Sequence, residues 1–294
     1  MRRSFIPGSE WLYYKIYTGS KTADRILAEA ILPLSQQLQQ DQLIDQWFYI
    51  RYGDPENHLR VRFHLPDTAV LGAVMNSITP VLEEFHQLQL TWKVQLDVYN
   101  RELERYGTQN IVRSEQLFYH ESDMLAQFLS LIDGDEGEEI RWLFGLRAID
   151  QFLDDFGMSI DQKIDLLQTL KAGFMQEFGI EKPTKRQLDN KFRQERANID
   201  WFLQFTRADQ PDYAPLLDLL DEKSQRSKPI IKEIRQEVPA ARLPDLLGSY
   251  IHMMMNRLFR SKNRMHELVM YYLLWRTLET GKKRAMAGSL DVRR

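Results

Sequence analysis

Residues 46–65 read QWFYIRYGDPENHLRVRFHL and contain the clearest local pattern of the chain. Five of its first seven residues are aromatic or β-branched, a composition that favours a strand. The segment GDPEN at 53–57 consists of turn formers, and the alternation of HLRVRFHL at 58–65 predicts a second strand. We therefore predict a β-hairpin in which these two strands pair.

Two further strands and two helices are predicted around this hairpin. Residues 11–18 (WLYYKIYT) and 89–99 (QLTWKVQLDVY) have the composition or the alternation of strands. Residues 22–40 and 67–86 carry apolar stripes at helical spacing, and Pro80 predicts a kink or a break in the second helix. The order β-α-β-β-α-β predicts a ferredoxin-like fold, with one four-stranded antiparallel sheet and both helices on one face.

The chain changes character near residue 107, after which almost every segment has helical periodicity. Ser159 with Gln162, and Thr184 with Gln187, have the spacing of capping boxes at helix starts. The predicted fold class is therefore α+β. A ferredoxin-like subdomain at 1–107 is followed by a mainly α-helical lobe at 108–294, and together they form one domain.

Composition excludes several classes of protein. The 294 residues are 28% charged and 43% hydrophobic, which is typical of a globular chain. The net charge of −3 does not imply a polyelectrolyte partner. The absence of cysteine excludes disulfides and thiolate sites. The longest apolar run, 268–275, is far shorter than the roughly 20 residues that cross a bilayer. With no secretory h-region near the N-terminus, we expect a cytoplasmic protein without a membrane partner.

Alternation along the hairpin and the last strand predicts two different sheet faces. We expect the helices to cover the apolar set, which comprises Leu59, Val61, Phe63, Leu65, Trp92, Val94, Leu96 and Val98. The opposite set predicts an open face of cations and aromatics, comprising His58, Arg60, Arg62, His64, Lys93, Gln95, Asp97 and Tyr99. Lys15 and Arg51 could join this open face, although both faces of the first two strands are apolar enough to be buried.

Two arginines on one strand face are the first candidate site. Arg60 and Arg62 are separated by two positions, so that their side chains lie side by side and repel unless an anion lies between them. Paired guanidinium groups suit a carboxylate or a phosphate. The alternative is a solvent-exposed basic strand whose arginines pair with Asp97 or a neighbouring glutamate, and spacing alone favours that alternative.

Two other clusters carry candidate residues. Glu102 and Arg105 share a helical face at i, i+3 in RELERYG, where an ordinary surface ion pair is the simpler interpretation. His252 lies one turn before Asn256 in the predicted helix at 243–260. Its side chain titrates near neutral pH, although a lone helical histidine is more often structural.

Several kinds of chemistry have no motif in the chain. There is no HExxH, GxGxxG, Walker A or GxSxG sequence. We therefore expect no cofactor and no metal. Any reaction would use acid–base and electrostatic catalysis.

Four stretches together resemble a known family. They are SFIPGSEWLYYKIYTG, WFYIRYGDPENHLRVRF, YNRELERYG (with Glu115 and Phe118 after it) and SYIHMMMNRLF. In this order, between residues 4 and 259, they resemble the C-terminal elimination domain of class I lanthipeptide dehydratases, which also occurs as a separate chain in thiopeptide-type bacteriocin pathways. The departures are mild: Thr108 replaces a second glycine, and Glu121 precedes Ser122 where the family usually has aspartate.

The resemblance implies a lyase that expels glutamate from glutamylated Ser or Thr of a ribosomal precursor peptide, leaving dehydroalanine or dehydrobutyrine. It implies a separate glutamylating dehydratase component that uses tRNA-Glu, so that this chain itself contacts no nucleic acid. A stable heteromer with that component and a homodimer are both compatible with this role.

The family's functional residues match the three clusters described above. By this resemblance Arg60 and Arg62 bind the glutamyl group and its departing carboxylate. Arg105, held by Glu102, stabilises the enolate or completes that clamp. His252 transfers a proton, either from the peptide Cα or to the glutamate.

Two other functions compete with elimination. A relative of the same superfamily condenses two dehydroamino acids into the pyridine ring of a thiopeptide, and we expect such an enzyme to have lost the elimination residues. A non-catalytic module could bind a peptide, or bind RNA on the open sheet face. The strand HLRVRFHL lacks the glycine and the paired aromatics of an RNA-recognition motif.

Overall fold

The computed structural model describes residues 1–291, apart from the side chains of residue 135 and residues 288–291. The strands are β1 (Ser4–Phe5), β2 (Trp11–Thr18), β3 (Gln46–Tyr52), β4 (His58–His64), β5 (Thr91–Leu96) and β6 (Tyr99–Asn100). The first five α-helices are α1 (Ser20–Ile26), α2 (Leu32–Gln40), α3 (Leu71–Gln87), α4 (Leu103–Tyr106) and α5 (Ile111–Leu131). The later helices are α6 (Gly134–Asp155), α7 (Ile160–Glu177), α8 (Lys182–Gln204), α9 (Ala214–Glu237), α10 (Leu243–Leu258) and α11 (Asn263–Asp291). The predicted α+β class is confirmed.

The chain forms two compact units. The first contains residues 1–133 and 249–261, and the second contains residues 134–248 with the described chain after residue 261. Helix α10 contributes its first residues to the second unit and its remainder to the first. The domain boundary at residue 107 stays a prediction, and α5 belongs to the unit that holds the sheet.

The main sheet has the strand order β3-β4-β2-β5, with every neighbouring pair antiparallel. This is the ferredoxin-like order predicted from the sequence. The buried apolar side of the sheet includes Leu12, Ile16, Leu59, Val61 and Phe63. Helix α1 packs on β4 and α3 packs on β5, so the helices cover this side.

The structure contradicts two local expectations about the first unit, a break at Pro80 and helix cover over the apolar residues of β5, and it decides the orientation of Arg51, which the sequence left open. Pro80 does not break α3, because it lies on the exposed side, where water can bind the carbonyl that lost its amide partner. Arg51 pairs in register with Leu59 and therefore points to the helix side, where it binds Asp24. The apolar residues of β5 are largely exposed, Trp92 to 50% and Leu96 to 39%, because β5 is an edge strand.

The other edge of the sheet, at β3, is capped by side chains from two helices. Ser122 Oγ on α5 accepts from the Tyr49 amide at 3.2 Å. The Asn256 side chain on α10 accepts from the Arg51 amide at 2.9 Å and donates to the Arg51 carbonyl at 3.0 Å. Arg257 Nε donates to the Tyr49 carbonyl at 2.8 Å. These contacts satisfy edge groups that would otherwise offer a template for another strand.

The second unit is helical throughout its described length. The capping box predicted at Ser159 and Gln162 is confirmed, since both reciprocal hydrogen bonds are present. The box predicted at Thr184 is wrong because α8 already begins at Lys182, where Pro183 suits the first turn. Within residues 1–291, no helix combines the length and apolarity needed to cross a membrane.

Candidate active site

A buried guanidinium is the central feature of the sheet face opposite the helices. Arg62 is only 6% exposed and lies over the rings of Tyr13, Tyr99 and Phe48, at 4.4, 4.7 and 5.1 Å from their centroids. Its Nε has no hydrogen-bond partner, and no described carboxylate forms a salt bridge with this guanidinium, although the charge of Glu115 acts on it from a distance. Burial lowers the pKa of Arg62. A buried cation that is held by aromatic rings and forms no salt bridge is a candidate anion site.

The prediction of an open face is wrong at Arg62. Strand β6 pairs with β1 and brings Tyr99 back across the sheet, where its ring packs against Trp11 and Phe48. Because these rings exclude water from one end of the face, the cation there is desolvated. An anion that binds Arg62 would gain more electrostatic stabilisation than it would on an open sheet.

Arg60 lies beside Arg62 on β4 and is half-buried. Its guanidinium carbon is 3.5 Å from the centroid of the Tyr52 ring, and its Nε donates to Nε2 of His58 at 3.1 Å. None of the described carboxylates forms a salt bridge with Arg60. Its two terminal amino groups are therefore available to a carboxylate.

The same sheet face carries an excess of positive charge. Lys15 lies directly opposite Arg60 in the register and binds Asp97, as the sequence had left open. Lys93 lies opposite Tyr17, with its ammonium 5.0 Å from that ring centroid. On this face the strands thus present four cations, counting the two arginines of β4, against the single carboxylate of Asp97.

A buried network that the sequence did not predict holds Tyr99 in place. The Tyr99 hydroxyl donates to Glu115 Oε1 at 2.7 Å, and Arg101 donates to both oxygens of Glu115 at 2.6 and 2.7 Å. Glu115 is 1% exposed. Burial and this carboxylate raise the pKa of Tyr99 well above its ordinary value, so that its hydroxyl stays protonated. The sequence feature that could have indicated this network is Glu115, an acidic residue four positions after the start of an apolar helix.

Glu102 and Arg105 form the ion pair expected from their spacing. Arg105 Nε lies 3.2 Å from Glu102 Oε2, and both side chains are exposed. The adjoining Tyr106 is buried and stacks on Tyr250 of α10, with ring centroids 5.7 Å apart. This stacking brings the segment of Glu102 and Arg105 against the helix that carries His252.

His252 is half-buried on α10, one turn before Asn256, whose amide caps β3. Phe118 connects the clusters, since its ring contacts Phe48 at 5.6 Å and Tyr250 at 6.1 Å. Residues 249–261 belong to the unit that holds the sheet, so all five predicted site residues lie in one compact unit. Their chemical roles stay predictions.

The described side chains include no group of three His, Asp or Glu residues placed to bind a metal ion. The arrangement on the sheet face instead suits an anionic ligand, with cations at its centre and His252 on the helix that caps β3.

A family model described as "Lantibiotic biosynthesis dehydratase C-term" matches residues 11–278 of this chain. The chain belongs to this dehydratase family. The match confirms the resemblance found in the sequence. It covers β2 to β5, which form the main sheet, and the whole of α10.

Two curated relatives of this dehydratase family are similar over part of the chain. The subtilin biosynthesis protein SpaB of Bacillus subtilis is 25% identical over 176 residues, which are 59% of this chain and 17% of SpaB. The nisin biosynthesis protein NisB of Lactococcus lactis subsp. lactis is 30% identical over 132 residues, which are 45% of this chain and 13% of NisB. The aligned part is thus less than a fifth of each relative.

Solved structures show the same fold. The tRNA-dependent lantibiotic dehydratase MibB from Microbispora sp. 107891 matches 95% of this chain and 29% of its own, with a TM-score of 0.72 and 20% identity. The pyridine synthase TbtD from thiomuracin biosynthesis matches 92% of this chain and 98% of its own, with a TM-score of 0.63 and 11% identity. Because proteins of both kinds share this fold, the fold alone does not choose between them.

Proposed function

We propose that this chain is a lyase that eliminates glutamate from glutamylated Ser or Thr of a ribosomal precursor peptide, leaving dehydroalanine or dehydrobutyrine. The observation that carries the proposal is the buried guanidinium of Arg62, which forms no salt bridge with a described carboxylate and lies beside a second available arginine. A glutamyl ester supplies a carboxylate in the substrate and a second one in the leaving group.

The reaction needs one proton transfer and two sites of charge stabilisation. A base removes the proton from the peptide Cα, and the freed electron pair forms the Cα–Cβ double bond as the Cβ–O bond breaks. Glutamate then leaves with the bonding electrons as a carboxylate, which Arg60 and Arg62 bind. Arg105, oriented by Glu102, stabilises the negative charge that develops on the peptide carbonyl oxygen. His252 transfers a proton, either from the peptide Cα or to the departing glutamate.

The partners follow from the same proposal. The precursor peptide is the substrate, and a separate glutamylating component that uses tRNA-Glu supplies the ester. MibB, a tRNA-dependent dehydratase, is more than three times as long as the part that matches this chain, which supports a glutamylating activity located outside the matched region.

Pyridine formation is the second candidate, because the likeness to TbtD covers 98% of that chain. A cycloaddition between two dehydroamino acids expels no glutamate and needs no carboxylate clamp. The arginines of β4, the Glu102–Arg105 pair and His252 therefore favour elimination.

Mass spectrometry of a synthetic peptide with a glutamyl-Ser ester tests the proposal. We expect loss of glutamate with formation of dehydroalanine. Replacing Arg62 by Ala should reduce the rate about 10²- to 10³-fold, while Arg62→Lys should retain part of it because the charge remains. Arg25→Ala is the matched control, since Arg25 is exposed and pairs with Glu29 on the helix side. Circular dichroism establishes that each variant is folded.

Two outcomes would overturn the proposal. One is no release of glutamate by the wild-type protein, together with cyclisation of an already dehydrated peptide. The other is release that proceeds equally well in the Arg62→Ala and His252→Ala variants.

A further inference from the structure

A second histidine is buried next to Arg60. His58 is the first residue of β4 and is 3% exposed. Its ring stacks on Tyr17, with centroids 4.7 Å apart, and contacts Tyr52 at 5.5 Å. Tyr52 is also the ring on which Arg60 lies. His58 and Arg60 therefore both pack against the ring of Tyr52.

The hydrogen bonds of His58 define its tautomer. Nδ1 lies 2.8 Å from the carbonyl oxygen of Glu56, which can only accept, so Nδ1 carries the hydrogen. Nε2 lies 3.1 Å from Nε of Arg60, which can only donate, so Nε2 offers its lone pair. Both contacts require a neutral imidazole with its proton on Nδ1.

We propose that neutral His58 is a positioning residue for Arg60, whose Nε it holds so that both terminal amino groups of the guanidinium face the substrate carboxylate. Protonation of His58 on Nε2 replaces this acceptor with a donor and sets two cations side by side. The Arg60 side chain is then released from its orientation. This inference rests on the proposed elimination, in which Arg60 binds the glutamyl carboxylate.

The surroundings of His58 keep it neutral. Burial lowers the pKa of His58 and the cations Arg60 and Lys15 lower it further, against the opposing effect of the hydrogen bond to Glu56. The side chain of Glu56 points elsewhere and accepts from Trp92 Nε1 at 3.3 Å. The titratable and charged groups that surround His58 on the sheet face are Tyr17, Tyr52, Arg60 and Lys15. A small cavity on its other side is lined by Arg51 and Arg260, which both bind Asp24.

The sign of the pH dependence follows directly. Because the folded pKa of His58 lies below its ordinary value of about 6.5, the positioning contact is intact at neutral pH. It is lost as the pH falls through that lowered value. The elimination rate should therefore have an acidic limb that belongs to His58 and disappears when His58 no longer titrates.

Kinetics of three variants test the inference through the reaction. His58→Phe keeps the stacked ring and removes the acceptor, and we expect kcat/KM to fall about 10- to 100-fold, the cost of a hydrogen bond to a charged group. His58→Gln offers a non-titrating acceptor and should regain part of the rate without the acidic limb. The double variant His58→Phe with Arg60→Ala should be no slower than Arg60→Ala alone. His86→Phe is the matched control, because His86 bonds the Thr91 carbonyl instead.

Nitrogen-15 NMR tests the same inference without turnover. At pH 7 we expect His58 in the Nδ1–H tautomer and the Arg60 Nε–H protected from exchange with water. This protection should be lost in His58→Phe and retained in His86→Phe. An Nε2–H tautomer, or an Arg60 Nε–H indifferent to His58→Phe, would overturn the positioning role. Failure of the wild-type protein to form dehydroalanine would instead count against the proposed elimination, so the two failures are distinguishable.

Discussion

The ion pair between Glu121 and Arg257 is fully buried and joins α5 to α10. Arg257 Nη1 lies 2.8 Å from Glu121 Oε2, with exposed side-chain fractions of 0% and 1%. Replacing Glu121 by Gln keeps the shape of the side chain and removes its charge. The guanidinium of Arg257 then stays buried without its counterion, although its Nε still donates to the Tyr49 carbonyl.

Removing one partner of a buried ion pair costs about 3–5 kcal/mol. Burial at both ends places Glu121→Gln in this range, whereas an exposed pair contributes about 1 kcal/mol or less. With an m-value of about 2 kcal/mol/M for urea, the midpoint of unfolding should fall by roughly 2 M. The change is a large part of the about 5–15 kcal/mol that stabilises a domain.

Urea denaturation measures the loss of global stability. Hydrogen exchange of the peptide covering Gln46–Tyr52 reports on β3 itself, whose carbonyl at Tyr49 is bound by Arg257. Glu104→Gln is the matched control, since Glu104 is 70% exposed and pairs with Arg3 at the surface. Replacing Glu121 by Leu together with Arg257 by Met should recover only part of the lost stability, because it removes both buried charges but also the hydrogen bond from Arg257 Nε to the Tyr49 carbonyl. If Glu121→Gln cost no more than Glu104→Gln, the buried pair would be unimportant and the reasoning refuted.

Three further predictions concern the second unit. Ser159→Ala removes the hydrogen bond that Ser159 Oγ accepts from the Gln162 amide, while the bond from the residue 159 amide to Gln162 Oε1 remains; the loss should cost about 1 kcal/mol, measured from urea midpoints. Gly157→Ala should cost about 1–2 kcal/mol because of its φ of +68°. The added Cβ would lie 2.8 Å from Arg235 Nη1, the end of a flexible side chain that can move away, so Arg235→Ala should change this cost little. Burial and the neighbouring Lys185 lower the pKa of Lys171 to about 8. Between pH 8 and about 10.4 the Lys171 ammonium keeps its proton in the unfolded chain but loses it in the folded chain. The free energy of unfolding of the wild-type protein should therefore rise with pH relative to that of Lys171→Met, as measured by urea titration of both proteins.

Local pattern was sufficient for most of the sheet. Alternation along 58–65 assigned Leu59 and Val61 to the buried side and Arg60 and Arg62 to the other, and the register confirms this assignment. The strand order followed from the β-α-β-β-α-β sequence, since that connectivity has few compact solutions.

The errors have a common physical origin in contacts between distant segments. Arg62 is buried because Tyr99, 37 positions later, packs over it, and no local period encodes that return. Arg51 was ambiguous because both faces of β3 are apolar, and the deciding partner is Asp24 on another element. Trp92 has the pattern of a buried strand, yet its position at the sheet edge leaves it half exposed.

Part of the candidate site could also be predicted from local sequence pattern. Spacing places the arginines of β4 on one strand face, and the family resemblance gives them a role in binding a carboxylate. Helical spacing predicts the ion pair of Glu102 with Arg105. Glu115 was noticed only as part of a motif, because its role depends on Tyr99 and Arg101 at 16 and 14 positions before it. The importance of His58 depends on a tautomer, which only the hydrogen bonds reveal.

The cap on β3 has a consequence for synthesis on the ribosome. Asn256 lies 205 positions after Arg51, and the 115 residues at 134–248 belong to the other compact unit. At about 5–20 residues per second, roughly 6–23 s separate the emergence of α5 from that of the segment that completes the sheet edge. During this interval Ser122 of α5 is the only one of these capping side chains that has been synthesised, so β3 lacks the contacts of Asn256 and Arg257 and part of its edge can pair with another strand.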